Sequence, residues 1–202
     1  MALQQLQQLV GARTLPHRLG LDAADEFETR GSMSFTIRTV TPDDAAAYQA
    51  VRLRSLQEHP EAFGSAYEDE LTRSLSAVAE RLQPLPERFT LGAWRADQLV
   101  GIVTFGQAVG RKVCHRGGVG GMYVAHEVHG QGIGRALLAE LVERAGRLPA
   151  LEEITLAVTV GNPTARSIYL AAGFQPSHVE KRYIKVADRY YDIEWMTFRL
   201  TR

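Results

Sequence analysis

From residue 34 onward, apolar side chains recur at two spacings, every second position or every third and fourth, with turn-forming residues between the runs. Phe35, Ile37 and Val40 mark a first strand. It closes on Thr41-Pro42-Asp43-Asp44, which supplies an N-cap, a proline for the first helical position and two acids for the first turn. A helix is therefore expected over 42–58, with Ala46, Val51, Leu53 and Leu56 among its apolar positions. A loop follows His59-Pro60, and a second helix is expected over 72–82, stopped by Pro84 and Pro86. Residues 90–95 and 99–108 read as a hairpin around Ala96-Asp97-Gln98, and a third strand over 117–125 follows Arg111-Lys112. A helix over 134–147, a β-branched strand over 154–160 and a helix over 163–172 come next. Two strands, 174–186 and 190–200, turn at Ala187-Asp188-Arg189. The order β-α-α-β-β-β-α-β-α-β-β predicts an α/β fold with a mixed, largely antiparallel sheet flanked by helices.

Residues 1–33 have another texture. Met1 to Val10 is rich in Gln and Leu, and Leu3, Leu6, Leu9 and Val10 share one helical face. We read residues 1–33 as an N-terminal extension whose first ten residues suit a short amphipathic helix, either an appendage or a stretch ahead of a true start at Met33, and residues 34–202 as the working domain. The interrupting glutamines argue against a secretory signal, and Asp22, Asp25, Glu26 and Glu28 against a transit peptide. The apolar run over 99–110 is half of what a bilayer span needs and is broken by Thr104, Gly106 and Gln107.

Charge and cysteine content narrow the chemistry. Lys plus Arg and Asp plus Glu number 23 each, so no global field draws the chain to nucleic acid or an anionic membrane. An anionic ligand must be met locally. Cys114 is the only cysteine, which removes disulfide frameworks and multi-cysteine zinc sites and suits a reducing, cytoplasmic setting. No metal is expected.

The most informative stretch runs from Met122 through His129-Gly130-Gln131-Gly132-Ile133-Gly134-Arg135, where a strand feeds a glycine-rich loop opening into a helix. Free N–H groups of a first helical turn, backed by the helix dipole, bind phosphate or pyrophosphate, and glycines let that backbone approach closely. A ligand-free tight turn has the same glycines, so the loop needs support from elsewhere. A dinucleotide-binding dehydrogenase fails twice: Leu137 stands where the third glycine belongs, and Glu152 and Glu153 precede the next strand instead of ending it. No Gly-Lys-Ser/Thr exists for a Walker A loop.

The support lies at Asn162-Pro163-Thr164-Ala165-Arg166-Ser167-Ile168-Tyr169-Leu170-Ala171-Ala172-Gly173-Phe174. With the glycine loop and the strand between, the chain resembles the GCN5-related N-acetyltransferase (GNAT) superfamily. Its pattern is Gln/Arg-x-x-Gly-x-Gly/Ala, a strand, then Asn-x-x-Ala-x-x-x-Tyr-x-x-x-Gly-Phe. His129 departs from it, standing where Gln or Arg is usual. His59-Pro60-Glu61-Ala62-Phe63-Gly64-Ser65 and Tyr191-Asp192 with Met196 are similar to segments of a small-substrate branch.

The resemblance implies the GNAT fold and acetyl-CoA as acetyl donor, lying between two splayed parallel strands. It implies pairing of the pantetheine arm with the backbone of Met122, Tyr123 and Val124, and a diphosphate on the loop from His129 to Arg135, that is Gly130, Gln131, Gly132, Ile133 and Gly134 as well. Asn162 is expected both to cap its helix and to reach the arm; Arg135, and more weakly Arg166, would meet phosphate. Tyr169 would protonate the departing thiolate. The acceptor is an amine of a small molecule or peptide, with no nucleic acid or membrane partner and a homodimer left open. Glu68, Glu70, His115 or water are the alternatives for a general base, and the acids at 68–70 and 188–194 would favour a cationic amine. Cys114 lacks a base and orienter among its neighbours, so direct attack is preferred to an acyl-enzyme. A catalytically silent acyl-CoA sensor is the rival from another class.

Overall fold

The computed structural model describes residues 34–200, so the extension and its expected helix lie outside the described residues. Strands β1 (Thr36–Thr39), β2 (Arg88–Arg95), β3 (Gln98–Gln107), β4 (Arg116–Val124), β5 (Glu153–Thr159), β6 (Gln175–Val186) and β7 (Arg189–Arg199) form one sheet. Its order is β1-β2-β3-β4-β5-β7-β6. Only β4 and β5 are parallel; the other neighbours are antiparallel, as expected for a mixed, largely antiparallel sheet. The helices are α1 (Ala45–Glu58), α2 (Tyr67–Leu71), α3 (Leu75–Arg81), α4 (Ile133–Gly146) and α5 (Pro163–Ala171).

The entry to α1 follows its local chemistry. Asp44 accepts the Thr41 N–H at 2.9 Å and holds the Arg38 guanidinium through both oxygens at 2.7 and 2.8 Å. A short 3₁₀ turn at Pro42–Asp44 leads into the helix. The helix expected over 72–82 is corrected: Ser74 is the true cap, its hydroxyl accepting the Ala77 N–H at 3.3 Å. A separate turn of helix, α2, lies where a loop was expected, its first turn carrying Glu68, Asp69 and Glu70. Acids at a helix N-terminus favour the helix through its dipole.

The core forms where α4 lies on the sheet. Leu137, Leu138 and Leu141 are fully buried, as are Phe105 and Ile154. Gly117 is dictated by packing: a Cβ there would stand 2.5 Å from the Phe105 ring and 3.1 Å from Leu151. Burying these apolar faces drives the assembly, at roughly 25 cal/mol per Å². Among the described residues no helix is long and apolar enough to cross a membrane.

Candidate active site

The site begins where the sheet stops being continuous. β4 and β5 pair only at Arg116–Glu153, Gly117–Ile154 and Gly118–Thr155, after which the two strands separate. A bulge in β4 causes the parting: Thr104 faces Gly120 while Ile102 faces Tyr123, so Gly121 and Met122 together oppose one residue of β3. Gly121 sits at φ 63°, a left-handed conformation that glycine adopts without cost. Gly118 and Gly120 border open space, since a Cβ on either would meet nothing within 4 Å.

Beyond the bulge, β4 presents an unused edge. The Ala125 N–H donates to Val100 O at 2.8 Å, which makes Gly101–Val124 a non-hydrogen-bonded pair and turns the Val124 N–H and C=O into the gap. Tyr123, in register with Ile102, spends its backbone on β3. Val124 O takes a hydrogen bond from the His129 ring at 2.8 Å. The unusual histidine therefore ties the loop back to the strand, a local role the spacing did not disclose.

The loop ends at Gly132, the N-cap of α4, with φ 79°; Gly130 has φ 78°. A Cβ at either would meet no atom within 4 Å, so the space before the helix is open. The first bond of the helix is from the Ala136 N–H to Gly132 O, which leaves the N–H groups of Ile133, Gly134 and Arg135 without partners inside the helix. Gly134 closes the base of the gap: a Cβ there would touch Met122, Ile168 and Val124 at 3.4 to 3.7 Å. Arg135 is exposed and forms no ion pair among the described residues. Arg166 is engaged by Glu194 at 2.6 Å, which removes it from phosphate duty.

α5 borders the other side. Asn162 caps it, its Oδ1 accepting the Ala165 N–H at 3.0 Å. Tyr169 is 7% exposed and packs on Phe174 with ring centroids 6.3 Å apart. Its hydroxyl has no hydrogen-bond partner among the described residues. Burial pushes the phenol up to about 12, so it keeps its proton at neutral pH.

The base candidates are not brought together. Glu70 is buried and bonded to Arg73 at 3.1 Å and Arg81 at 3.2 Å. Burial works to raise its pKa, yet the two arginines outweigh burial and hold the carboxyl below its usual value. Glu68 is exposed, and His115 precedes β4 at the closed end of the gap. Cys114 lies in the loop between β3 and β4, its Sγ 3.5 Å from Arg111 O. Of the acids expected to attract a cation, Asp192 is paired with Lys181 at 2.8 Å and Glu194 with Arg166 at 2.6 Å, as Glu70 is with its two arginines.

A cluster that the sequence reading missed braces the far face of β4. The Tyr123 hydroxyl donates to Glu58 at 2.6 Å, and Arg54 bridges Glu58 to Glu127 through bonds of 2.6 to 2.7 Å. The arginine pulls Glu127 down to about 2, while burial and the Glu58 carboxylate raise the Tyr123 phenol. Arg54 and Glu58 stand at the i, i+4 spacing of an ion pair, the one signal in the sequence. Beside the bulge, on this α1 face, lies a cavity of about 370 Å³ reaching Tyr48, Arg52, Arg81, Thr104, Gly120 and Gly121. Among the described residues no group of three metal-ligating side chains occurs.

A family model described as "Acetyltransferase (GNAT) family" matches residues 50–174. No match is found among curated proteins. A GNAT-family acetyltransferase from Streptococcus pneumoniae superposes with a TM-score of 0.73 at 21% identity, over 82% of this chain and 99% of the other. The yncA protein of Salmonella typhimurium, solved with its cofactor acetyl-CoA, gives 0.68 at 19% identity, over 83% and 94%. A ribosomal-protein-alanine N-acetyltransferase from Brucella melitensis gives 0.67 at 25% identity, over 81% and 99%.

Proposed function

The chain belongs to the GNAT family of acetyltransferases, and on that premise we propose that it moves an acetyl group from acetyl-CoA to a primary amine of a small molecule or peptide by direct attack. The observation that carries the proposal is the clear gap between β4 and β5, ending on the free N–H groups of α4. Acetyl-CoA, when bound, supplies the activated thioester. The Val124 N–H receives an extended arm as an added strand would. The N–H groups of Ile133, Gly134 and Arg135, with the backbone of Gly130, Gln131 and Gly132, hold a diphosphate, and the Arg135 side chain adds charge. Asn162 has its amide Nδ2 to offer the arm while Oδ1 caps α5.

Catalysis then needs a polarised carbonyl and a proton for the leaving sulfur. The backbone N–H at Met122, beside the bulge, serves the first need. Tyr169 serves the second: protonated, buried and without a competing partner, it can donate as the C–S bond breaks and the amide C–N bond forms. The proton lost by the amine passes to water: the Glu70 carboxylate is taken up by Arg73 and Arg81, Glu68 is exposed, and His115 lies at the closed end of the gap. A free phenol of this kind has no use in a silent sensor.

Titration with acetyl-CoA tests the binding half. Melting should rise, by about 2 to 3 kcal/mol of stability at a hundredfold excess over Kd. Thiol release across a panel of amines, with mass detection of the acetylated product, tests the transfer half. Absence of calorimetric binding and of any thermal shift overturns the proposal; tight binding with no turnover on any amine favours the sensor.

A further inference from the structure

The cavity at the bulge carries a charge that the rest of the fold leaves unanswered. Arg52 of α1 is only 7% exposed, and its Nη1 is buried with no hydrogen-bond partner. Its guanidinium makes no ion pair among the described residues; it stacks on Phe63, with Cζ 4.8 Å from the ring centroid. A buried, unpaired cation is costly, and folds retain one where a ligand completes it. Desolvation holds Arg52 below the ordinary arginine value; Tyr48 and the Glu70 carboxylate oppose that shift without overcoming it, and the nearby Arg81 adds to it.

The surroundings share this sign. Arg52, Arg81 and Arg88 all line the cavity. The carboxylate in reach, Glu70, is already divided between Arg73 and Arg81. Gln49, one turn before Arg52, donates its Nε2 to the Glu70 carbonyl at 2.7 Å, while its Oε1 is buried without a partner. The cavity reaches Gly120 and Gly121, so a molecule seated on Arg52 extends toward the bulge where the strands part. At about 370 Å³ it lies near the small end of ligand pockets and fits a small molecule.

We propose that Arg52 binds a carboxylate of the acceptor, so that the acceptor is a small amine bearing an acid, of the amino-acid class. The inference rests on the transfer reading above, and it reverses the cationic acceptor that the acidic runs suggested. A carboxylate on the guanidinium forms charge-assisted bonds with a planar fork that suits it, and the amine of the same molecule is left facing the gap.

Matched pairs test it: leucine against 3-methylbutylamine, phenylalanine against phenethylamine, methionine against 3-(methylthio)propylamine, each scored by thiol release from acetyl-CoA. The acid-bearing member should be preferred by tenfold or more in kcat/KM, the scale of one hydrogen bond to a charged group. In Arg52→Gln that preference should vanish through KM, with melting temperature and acetyl-CoA affinity kept. Arg52→Met, which also removes the charge while keeping a long stem against Phe63, carries the same comparison if Arg52→Gln does not fold. Equal turnover of the two members, or a preference that survives both substitutions, overturns the inference. Should no pair be turned over, calorimetry in the presence of CoA compares 4-methylpentanoate with 4-methylpentanamide. Binding of the acid alone, lost in Arg52→Gln, upholds the inference; equal binding or none overturns it. Failure of acetyl-CoA to bind overturns the transfer reading instead, and the acid and amide titrations, repeated without CoA, still decide the role of Arg52.

Discussion

Tyr169→Phe removes one hydroxyl and almost no volume, and the structure says what that atom is worth. The residue is 7% exposed and its hydroxyl has no partner among the described residues, so the substitution breaks no hydrogen bond and leaves no orphan behind. At pH 7 stability should stay within about 1 kcal/mol of wild type, because the loss expected from a buried bond of about 1 to 3 kcal/mol does not arise. The sign of the alkaline effect is set by the phenol, raised from 10 to about 12 by burial. A raised group gives stability that is complete below its unfolded value and lost as pH climbs through the folded one. Wild type should therefore weaken relative to the variant from about pH 10 upward, by about 1 kcal/mol at pH 10.5 and about 2 kcal/mol at pH 12. Turnover should fall by about 10² to 10⁴, the range for a lost general acid, with acetyl-CoA affinity nearly unchanged. Urea unfolding at pH 7 and 10.5, calorimetry with acetyl-CoA and thiol-release kinetics on one preparation read all three. If turnover stays within about threefold of wild type on a real acceptor, far below the range for a general acid, Tyr169 is not the donor and the proton comes from water.

Gly134→Asp should lower acetyl-CoA affinity at least tenfold, because a carboxylate at the first turn of α4 meets a diphosphate of like charge. Gly134→Ala is its folded control, since the added Cβ meets neighbours at ordinary contact distance, 3.4 Å or more; equal calorimetric affinity for both would move the diphosphate elsewhere. Gly117→Ala forces a Cβ to within 2.5 Å of Phe105 and should cost about 1 to 3 kcal/mol as an overpacked core does, read as a lower melting temperature. An unchanged melting temperature would show that β3 and β4 yield there. Asp44 is held down to about 2, chiefly by its bonds to Arg38, so its contribution is present above about pH 4 and lost as pH falls toward 2. After solvent screening, Asp44→Asn should cost about 0.5 to 1 kcal/mol at pH 7 and nothing near pH 2, checked by urea unfolding at both.

The fold was legible because its signals are local. The Thr41 to Asp44 start, the Asn162 cap and the turns at residues 96 and 187 each lie within a few residues of the structure they fix. The failure at α2 and α3 has the same origin. Thr72 and Ser74 are both competent caps, and only packing of residues 67–71 into a separate turn decides for Ser74. The parting of β4 from β5 was implied by the resemblance, yet its cause, two residues of β4 against one of β3, depends on a register between strands that no spacing within β4 reveals.

The same contrast divides the site. The half assigned to acetyl-CoA is built from consecutive backbone, Gly130 to Arg135, so its motif and its geometry are one object and reading the first gives the second. The acceptor half is built from what side chains find around them. Glu70 reads as a free acid in the sequence and is spent on two arginines in the fold; Arg52 carries no signal in the sequence and is buried without an anion. A sum of charges along the chain cannot separate these cases, because each is fixed by the partners that three-dimensional packing supplies or withholds. The negative runs of the sequence therefore point to a cationic acceptor, while the charge balance of the folded cavity, three guanidinium groups against one shared carboxylate, selects an acceptor that brings its own negative charge.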